Sequence, residues 1–357
     1  MRSNWVWAMS LAALCGSAAF SPTAHAQQLP VAYKIIDLGT LGGDYSFGRS
    51  LNEANQVVGG SYISPSSLEV HPFLYDPSTG TMTDLGVLAG KPYAYATGIN
   101  NAGEVAGTVY NDTFGTPYRA FLYSNQTMID LGVVSGSSST SAATCINDAG
   151  HVLGGLQPGT NHSFIYKDRT MVDLSPALNV SVGRVNNAGE FTGLRHVTSG
   201  GDFHAILYSD GAVTDLGTLG GTYSEGMDIN AAAHVTGWSY LPDWNAHAFL
   251  YRNGVMSDLG TLPGAQDSEA IGLNDLDQAV GDSDGRAVIF SNGQIADLTN
   301  MIEQTSPLKP YVTLTQAWDI NDHGWIVVDG RDSRFPSGSG IPFKKRTHAY
   351  LLQPVWP

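Results

Sequence analysis

Residues 224–260 read SEGMDINAAAHVTGWSYLPDWNAHAFLYRNGVMSDLG, and four short β-strands can be parsed from them. Ser224 to Asn230 alternates small and apolar side chains and forms strand a. His234 to Trp238 forms strand b, His247 to Tyr251 strand c, and Val255 to Gly260 strand d. Period-2 patterning marks a half-buried strand, and Asn253-Gly254 is a two-residue hairpin signal because both residues tolerate positive φ. No long amphipathic helix fits between these segments.

The closing Asp-Leu phrase returns seven times, at Asp37, Asp84, Asp130, Asp173, Asp215, Asp258 and Asp297, with intervals of 47, 46, 43, 42, 43 and 39 residues. A period of about 40–45 residues, rich in glycine and β-formers, is that of a propeller blade of four strands. Strand a ends in asparagine in every copy (Asn52, Asn100, Asn147, Asn186, Asn230, Asn274, Asn321). Three residues later stand Asn55, Gly103, Gly150, Gly189, Ala233, Asp277 and Gly324. All but Ala233 are types that accept a left-handed backbone, so the a–b turn is tight. A glycine follows each asparagine by seven residues, except that Val328 stands in the last copy.

The two ends are complementary. Tyr33 to Gly39 is a strand d with no a, b or c before it, while Thr315 to Asn321, Trp325 to Asp329 and His348 to Leu352 supply a, b and c with no d after them. The expectation is an all-β, seven-bladed propeller over residues 27–357, closed by the N-terminal strand pairing in the last blade. An open solenoid would want polar caps instead of complementary ends.

Residues 1–26 carry one early charge at Arg2, an apolar run through Leu14 and a small-residue end at Ala24-His25-Ala26. That pattern predicts a signal peptide cut after Ala26, hence an extracellular or periplasmic protein. The mature chain keeps one cysteine, Cys145, so it has no intramolecular disulfide. A net charge of −15 disfavours nucleic acid as a partner, and no later segment has the length and apolarity of a membrane span. A monomer is expected.

The triplet His247-Ala248-Phe249 recurs as His71-Pro72-Phe73, Arg119-Ala120-Phe121, His162-Ser163-Phe164, His204-Ala205-Ile206, Arg286-Ala287-Val288 and His348-Ala349-Tyr350. With Leu-Gly-Thr-Leu-Gly-Gly at 38–43 and 216–221, the chain resembles the extracellular HAF-repeat family over nearly its whole mature length. The resemblance implies a secreted repeat protein and no particular chemistry.

Each triplet's His or Arg is followed by the repeat's aspartate, giving seven candidate pairs: His71/Asp84, Arg119/Asp130, His162/Asp173, His204/Asp215, His247/Asp258, Arg286/Asp297 and, across the closure, His348/Asp37. A cation and a carboxylate as diagonal neighbours on the c–d hairpin fit one structural charge-assisted hydrogen bond per blade. A metal ring is the competing reading, but metal sites converge residues instead of spreading them around a circle. Asp275, Asp277, Asp282 and Asp284 lack the full spacing of a calcium loop and read as solvated turns. No nucleophile elbow, phosphate loop, zinc-helix or haem motif occurs.

Variation concentrates in the b–c and d–a loops, which a four-stranded meander sends to one face. Tyr62, Tyr110, Tyr118, His196, Trp238, Tyr240 and Trp244 fall around b–c loops, Tyr45 and Tyr223 in d–a loops, and Arg331 and Arg334 in the last b–c loop. Loops on a rigid scaffold carry function, and aromatics with nearby carboxylates suit sugar rings or protein partners. The expected function is therefore a non-catalytic module for a glycan or extracellular protein. The alternatives are a polysaccharide lyase using His196, Tyr240, Arg195 and Arg334, and a structural matrix protein.

Overall fold

The computed structural model describes residues 29–111, 118–134, 140–157, 162–197, 201–334 and 347–357. The signal peptide expected at 1–26 and the basic run Lys344 to Arg346 lie outside them. Seven four-stranded antiparallel sheets form the blades of a propeller. Blades 1 to 6 follow the chain in the order a-b-c-d. Blade 5 is Ser224–Ile229, Val235–Tyr240, Ala246–Arg252 and Val255–Gly260. Blade 7 takes a, b and c from Val312–Ile320, Ile326–Asp332 and Thr347–Val355, and its outer strand d is Ala32–Asp37 from the other end of the chain. The register runs from Ala32 opposite Val355 to Asp37 opposite Tyr350, so the N-terminal strand closes the ring.

The Asp-Leu-Gly phrase is a turn device. In all seven copies the aspartate Oδ1 accepts the backbone N–H two residues on, from Gly39, Gly86, Gly132, Ser175, Gly217, Gly260 or Thr299, at 2.7–2.9 Å. The five glycines hold φ of 74–78°, which ends strand d and turns the chain inward. Where Ser175 or Thr299 replaces glycine, the chain enters a single helical turn instead, Ser175–Leu178 or Leu298–Met301. The leucine between faces inward; Leu38, Leu85, Leu131, Leu216 and Leu298 are buried.

The repeated asparagines hold neighbouring blades together. Each is buried, and its Oδ1 accepts N–H groups of its own a–b turn, as Asn52 does from Ala54 and Gln56. Each Nδ2 then donates to the backbone carbonyl of the next blade's asparagine at 3.1–3.2 Å. The last of these runs from Asn321 to Asn52, so seven amide-to-carbonyl bonds form a closed circle around the axis. Each of these carbonyls also accepts an N–H of its own a–b turn, as Asn52 O does from Asn55, so both of its lone pairs are used.

Inner strands are crowded. A Cβ on Gly59, Gly154, Gly193, Gly237 or Gly281 would fall 1.9–2.0 Å from a carbonyl oxygen of strand a in the same blade. Val328 is tolerated where strand a of blade 7 carries an additional register shift, between Leu314 and Gln316. Apolar clusters fill the blade interfaces, with fully buried Phe73, Phe121, Phe164 and Phe249 at matching positions of strand c and Tyr33 and Tyr350 in blade 7.

Candidate binding face

Four of the seven expected cation–carboxylate pairs are in contact. Nδ1 lies within 2.8–3.0 Å of a carboxylate oxygen in His71/Asp84, His204/Asp215, His247/Asp258 and His348/Asp37. The other three need correcting. Among the described residues no hydrogen bond joins Arg119 to Asp130, His162 to Asp173 or Arg286 to Asp297. The turn bond is common to all seven aspartates, including the four that also meet a histidine, so it is the basic partner that varies from blade to blade. Asp130 and Asp173 accept Gly132 and Ser175 N–H, and Asp297 caps its helical turn through Thr299 and Asn300 N–H. The basic residue is an optional second partner.

The aspartates considered for calcium do not converge. Asp275 and Asp277 lie at the a–b turn before strand b of blade 6 (Ala279–Ser283), while Asp282 and Asp284 lie at its far end. Asp275 accepts Ala231 N–H, and Asp277 accepts His234 Nδ1 at 2.7 Å and Asn230 Nδ2 at 3.1 Å. Asp284 accepts Gln266 and Asp267 N–H, and Asp282 accepts Gly285 N–H and Gln316 Nε2. Protein donors occupy each of the four.

The aromatics assigned to loops sit mostly at strand ends. Tyr62 and Tyr110 end strand b of blades 1 and 2, His196 ends strand b of blade 4, and Tyr118 begins strand c of blade 2. Trp238 and Tyr240 lie within strand b of blade 5, and Tyr45 and Tyr223 immediately precede strand a. Loop length therefore understated their rigidity, since ladder bonds hold their backbones.

They gather in two groups. On blades 1 and 2, Tyr45, Phe47, Tyr62, Tyr95, Tyr93 and Tyr110 form a chain with centroids 5.3–6.1 Å apart, ending in the parallel stack of Tyr93 on Tyr110. Burial pushes the Tyr45 and Tyr110 phenols up to about 12, aided at Tyr45 by Asp329. On blades 4 and 5, His196 meets Phe203 edge-on, Phe203 meets Tyr223, and Tyr223 stacks on Trp238 at 4.9 Å and 14°. Tyr240 stands edge-on to Trp238 at 5.3 Å and to Trp244 at 5.8 Å. Trp244 is 68% exposed and holds φ of 71°. Its turn is fixed by Trp244 N–H donating to the Leu241 carbonyl, and by Asn245 donating to the Asp243 carboxylate.

The lyase set is not assembled. Arg195 and His196 belong to blade 4 and Tyr240 to blade 5, whereas Arg334 follows strand b of blade 7. There its Nε donates to both oxygens of Asp332 at 3.0 Å, and its guanidinium lies 5.3 Å over the Tyr311 ring. Arg331 is exposed on the same strand, opposite Thr313 and Thr347.

Sequence reasoning missed two features near the axis. At the a–b end, a cavity of about 220 Å³ opens within the asparagine circle, floored by Leu51, Ile99, Ile146, Ile229 and Ile320. The sevenfold asparagine was the signal, but a single blade shows only its turn. Deeper in the channel, Arg184 of blade 4 reaches across to blade 7, its Nη1 3.1 Å from Asp319 Oδ2, while its Nη2 donates to the Arg49 carbonyl of blade 1. Asp228 beside it accepts Ile229 and Leu273 N–H, and burial pushes its carboxyl up to about 7 against the pull of Arg184. Arg184, Asp228 and Asp319 all stand two residues before the repeated asparagine, but the repeat does not show which charges meet across a channel.

No family model and no curated protein matches the chain by sequence. Among the described residues no helix is long and apolar enough to cross a membrane. The fold is similar to that of solved propellers. An oligogalacturonate lyase from Vibrio parahaemolyticus aligns at TM-score 0.55 and 8% identity, covering 92% of this chain and 96% of that one. YCF48 bound to D1 peptide aligns at TM-score 0.52 and 10% identity over 91% and 96%. The β-propeller domain of the Trilobed protease from Pyrococcus furiosus, described as having an open velcro topology, aligns at TM-score 0.52 and 7% identity over 87% and 94%. At these identities the likeness establishes the architecture alone: this chain is a seven-bladed β-propeller.

Proposed function

We propose that the chain is a secreted, non-catalytic binding module of HAF-repeat type that captures a glycan or a protein on its b–c and d–a loop face. One observation carries this reading. Trp244 presents its ring to solvent from a left-handed backbone, a conformation that costs a bulky residue on the order of 1–2 kcal/mol. Tyr240, Trp238 and Tyr223 extend it as a continuous platform. Backbone strain and exposed apolar area in one residue mark a functional site, and a partner that covers the ring removes that area from water. Propellers of the same architecture include YCF48, whose structure contains a bound peptide. The Ala24-His25-Ala26 end of the N-terminal apolar segment supports export.

The test is retention of the mature protein on a glycan array and on partners drawn from the secreted fraction of the same cells. Trp244→Ala and Tyr240→Ala should each weaken capture by roughly tenfold or more with the melting temperature nearly unchanged. Capture indifferent to both substitutions would remove the platform from the function.

A further inference from the structure

Beside the platform lie carboxylates that have no basic partner. Glu225 is the direct cross-strand partner of Trp238, so carboxylate and indole stand side by side on one side of strands a and b. Tyr223, two residues before Glu225, shares that side. On blade 6, Glu269 is the direct cross-strand partner of Asp282, a like-charge pair that a sheet ordinarily avoids. Among the described residues no Lys, Arg or His side chain bonds to Glu225, Glu269 or Asp282. Arg286, the basic residue nearest in sequence, opposes Ser283 in the ladder. Burial raises all three carboxyls, and Glu269 adds to the rise at Glu225.

The molecule shows elsewhere what such surroundings hold. The Arg49 guanidinium lies 4.5 Å over the Phe47 ring and 3.8 Å over the Trp318 ring, with Nη1 3.5 Å from Asp329 Oδ2. Trp318 Nε1 donates to the same carboxylate at 2.9 Å. A planar cation thus sits between aromatic faces and a carboxylate on blades 7 and 1. Blade 5 has the aromatic rings and the carboxylate, but among the described residues no guanidinium reaches them.

From this charge complementarity we infer that the platform of blades 5 and 6 docks an arginine-bearing segment of a protein partner. The guanidinium stacks on the Tyr223–Trp238–Tyr240 group and bonds to Glu225, while Glu269 and Asp282 attract the following basic residue. Arginine suits the site better than lysine because its flat, weakly hydrated head combines stacking with bidentate pairing. The inference rests on the binding reading above and narrows it to one partner class.

The experiment measures fluorescence anisotropy of labelled Gly-Arg, Gly-Lys and Gly-Gln repeat peptides, and of chitosan oligomers, with the mature protein. The Gly-Arg peptide should bind several-fold more tightly than Gly-Lys, and Gly-Gln should not bind. Glu225→Gln/Glu269→Gln should weaken Gly-Arg about tenfold. Asp168→Asn/Asp210→Asn, with the same change of charge in the c–d turns of blades 3 and 4, should leave affinity unchanged. A raised melting temperature for Glu225→Gln/Glu269→Gln would verify that this variant is folded. Equal weakening by both double substitutions would reduce the effect to net charge and overturn the inference, as would preference for chitosan over both basic peptides. If partner capture is lost in Trp244→Ala but unaffected in Glu225→Gln/Glu269→Gln, the binding reading stands and the arginine inference fails.

Discussion

Ala233 is the one residue in the a–b turns whose side chain contradicts its backbone. Its φ of 57° matches Asn55 at 62°, Asp277 at 58° and the four glycines of the other copies at 73–83°. Alanine pays for that conformation with a Cβ–carbonyl clash of about 1 kcal/mol. Ala233→Gly should therefore raise stability by roughly that amount in a denaturant titration, although Gly→Ala is the usual stabilising direction. Gly237→Ala, four residues away, should cost more than about 3 kcal/mol, because its Cβ would meet Glu225 O at 1.9 Å. If the alanine is tolerated there, the close approach of strands a and b is not rigid. Both positions could be read from the repeat, since seven copies in one chain reveal what each site must do. The Asp of Asp-Leu-Gly was read less well. Its pairing with a histidine or arginine was expected in every blade, but its bond to the following turn, local and therefore compulsory, was not.

At the scale of an element, the N-terminal strand carries the most. Tyr33 is fully buried, its carbonyl accepts Glu303 N–H from the loop beyond blade 6, and the ladder to Thr347–Val355 is unbroken. Deleting 32–37 should expose strand c of blade 7 and replace one cooperative transition with a broad one. A synthetic peptide spanning Ala32 to Asp37 should restore sharp melting when added in excess. A deletion variant that melts as sharply as the parent would refute the clasp. Strand identity and closure were legible because hydrophobic alternation and the unmatched ends are local facts. The platform of blade 5 was legible as a list of aromatics. Its geometry was not, because ring stacking between Tyr223 and Trp238 depends on the a–b register, which the b–c loop sequence does not encode.

For the whole molecule, charge buried along the axis sets the response to pH. Burial pushes Asp228 up to about 7 and Asp329 up to about 6, each against a neighbouring arginine. The unfolded chain has both near about 4. Between those limits the folded state binds more protons than the unfolded state, so stability falls as pH rises from about 4 to about 7 and then levels off. Melting temperatures should be higher at pH 5 than at pH 7.5, and the unfolding free energy should be larger by about a few kcal/mol at most. A flat or rising profile would mean that Arg184 and Arg49 keep both carboxylates ionised throughout. The repeat puts Arg184, Asp228 and Asp319 at one position, two before the asparagine, but their burial and the bond across the channel were not legible in the sequence.

The clasp also has a mechanical consequence. Val31 N–H donates to the Val355 carbonyl, so both ends of the propeller leave from the same corner of blade 7. A load applied between the termini would pull strand d away from strand c one hydrogen bond at a time, as in a zipper, and not shear all six pairs together. Optical-trap pulling from the termini should thus open blade 7 at low force, well before the rest of the ring yields. A tether attached through internal positions on opposite blades would have to break the asparagine circle first. The same protein would then be weak along one direction and strong along every other.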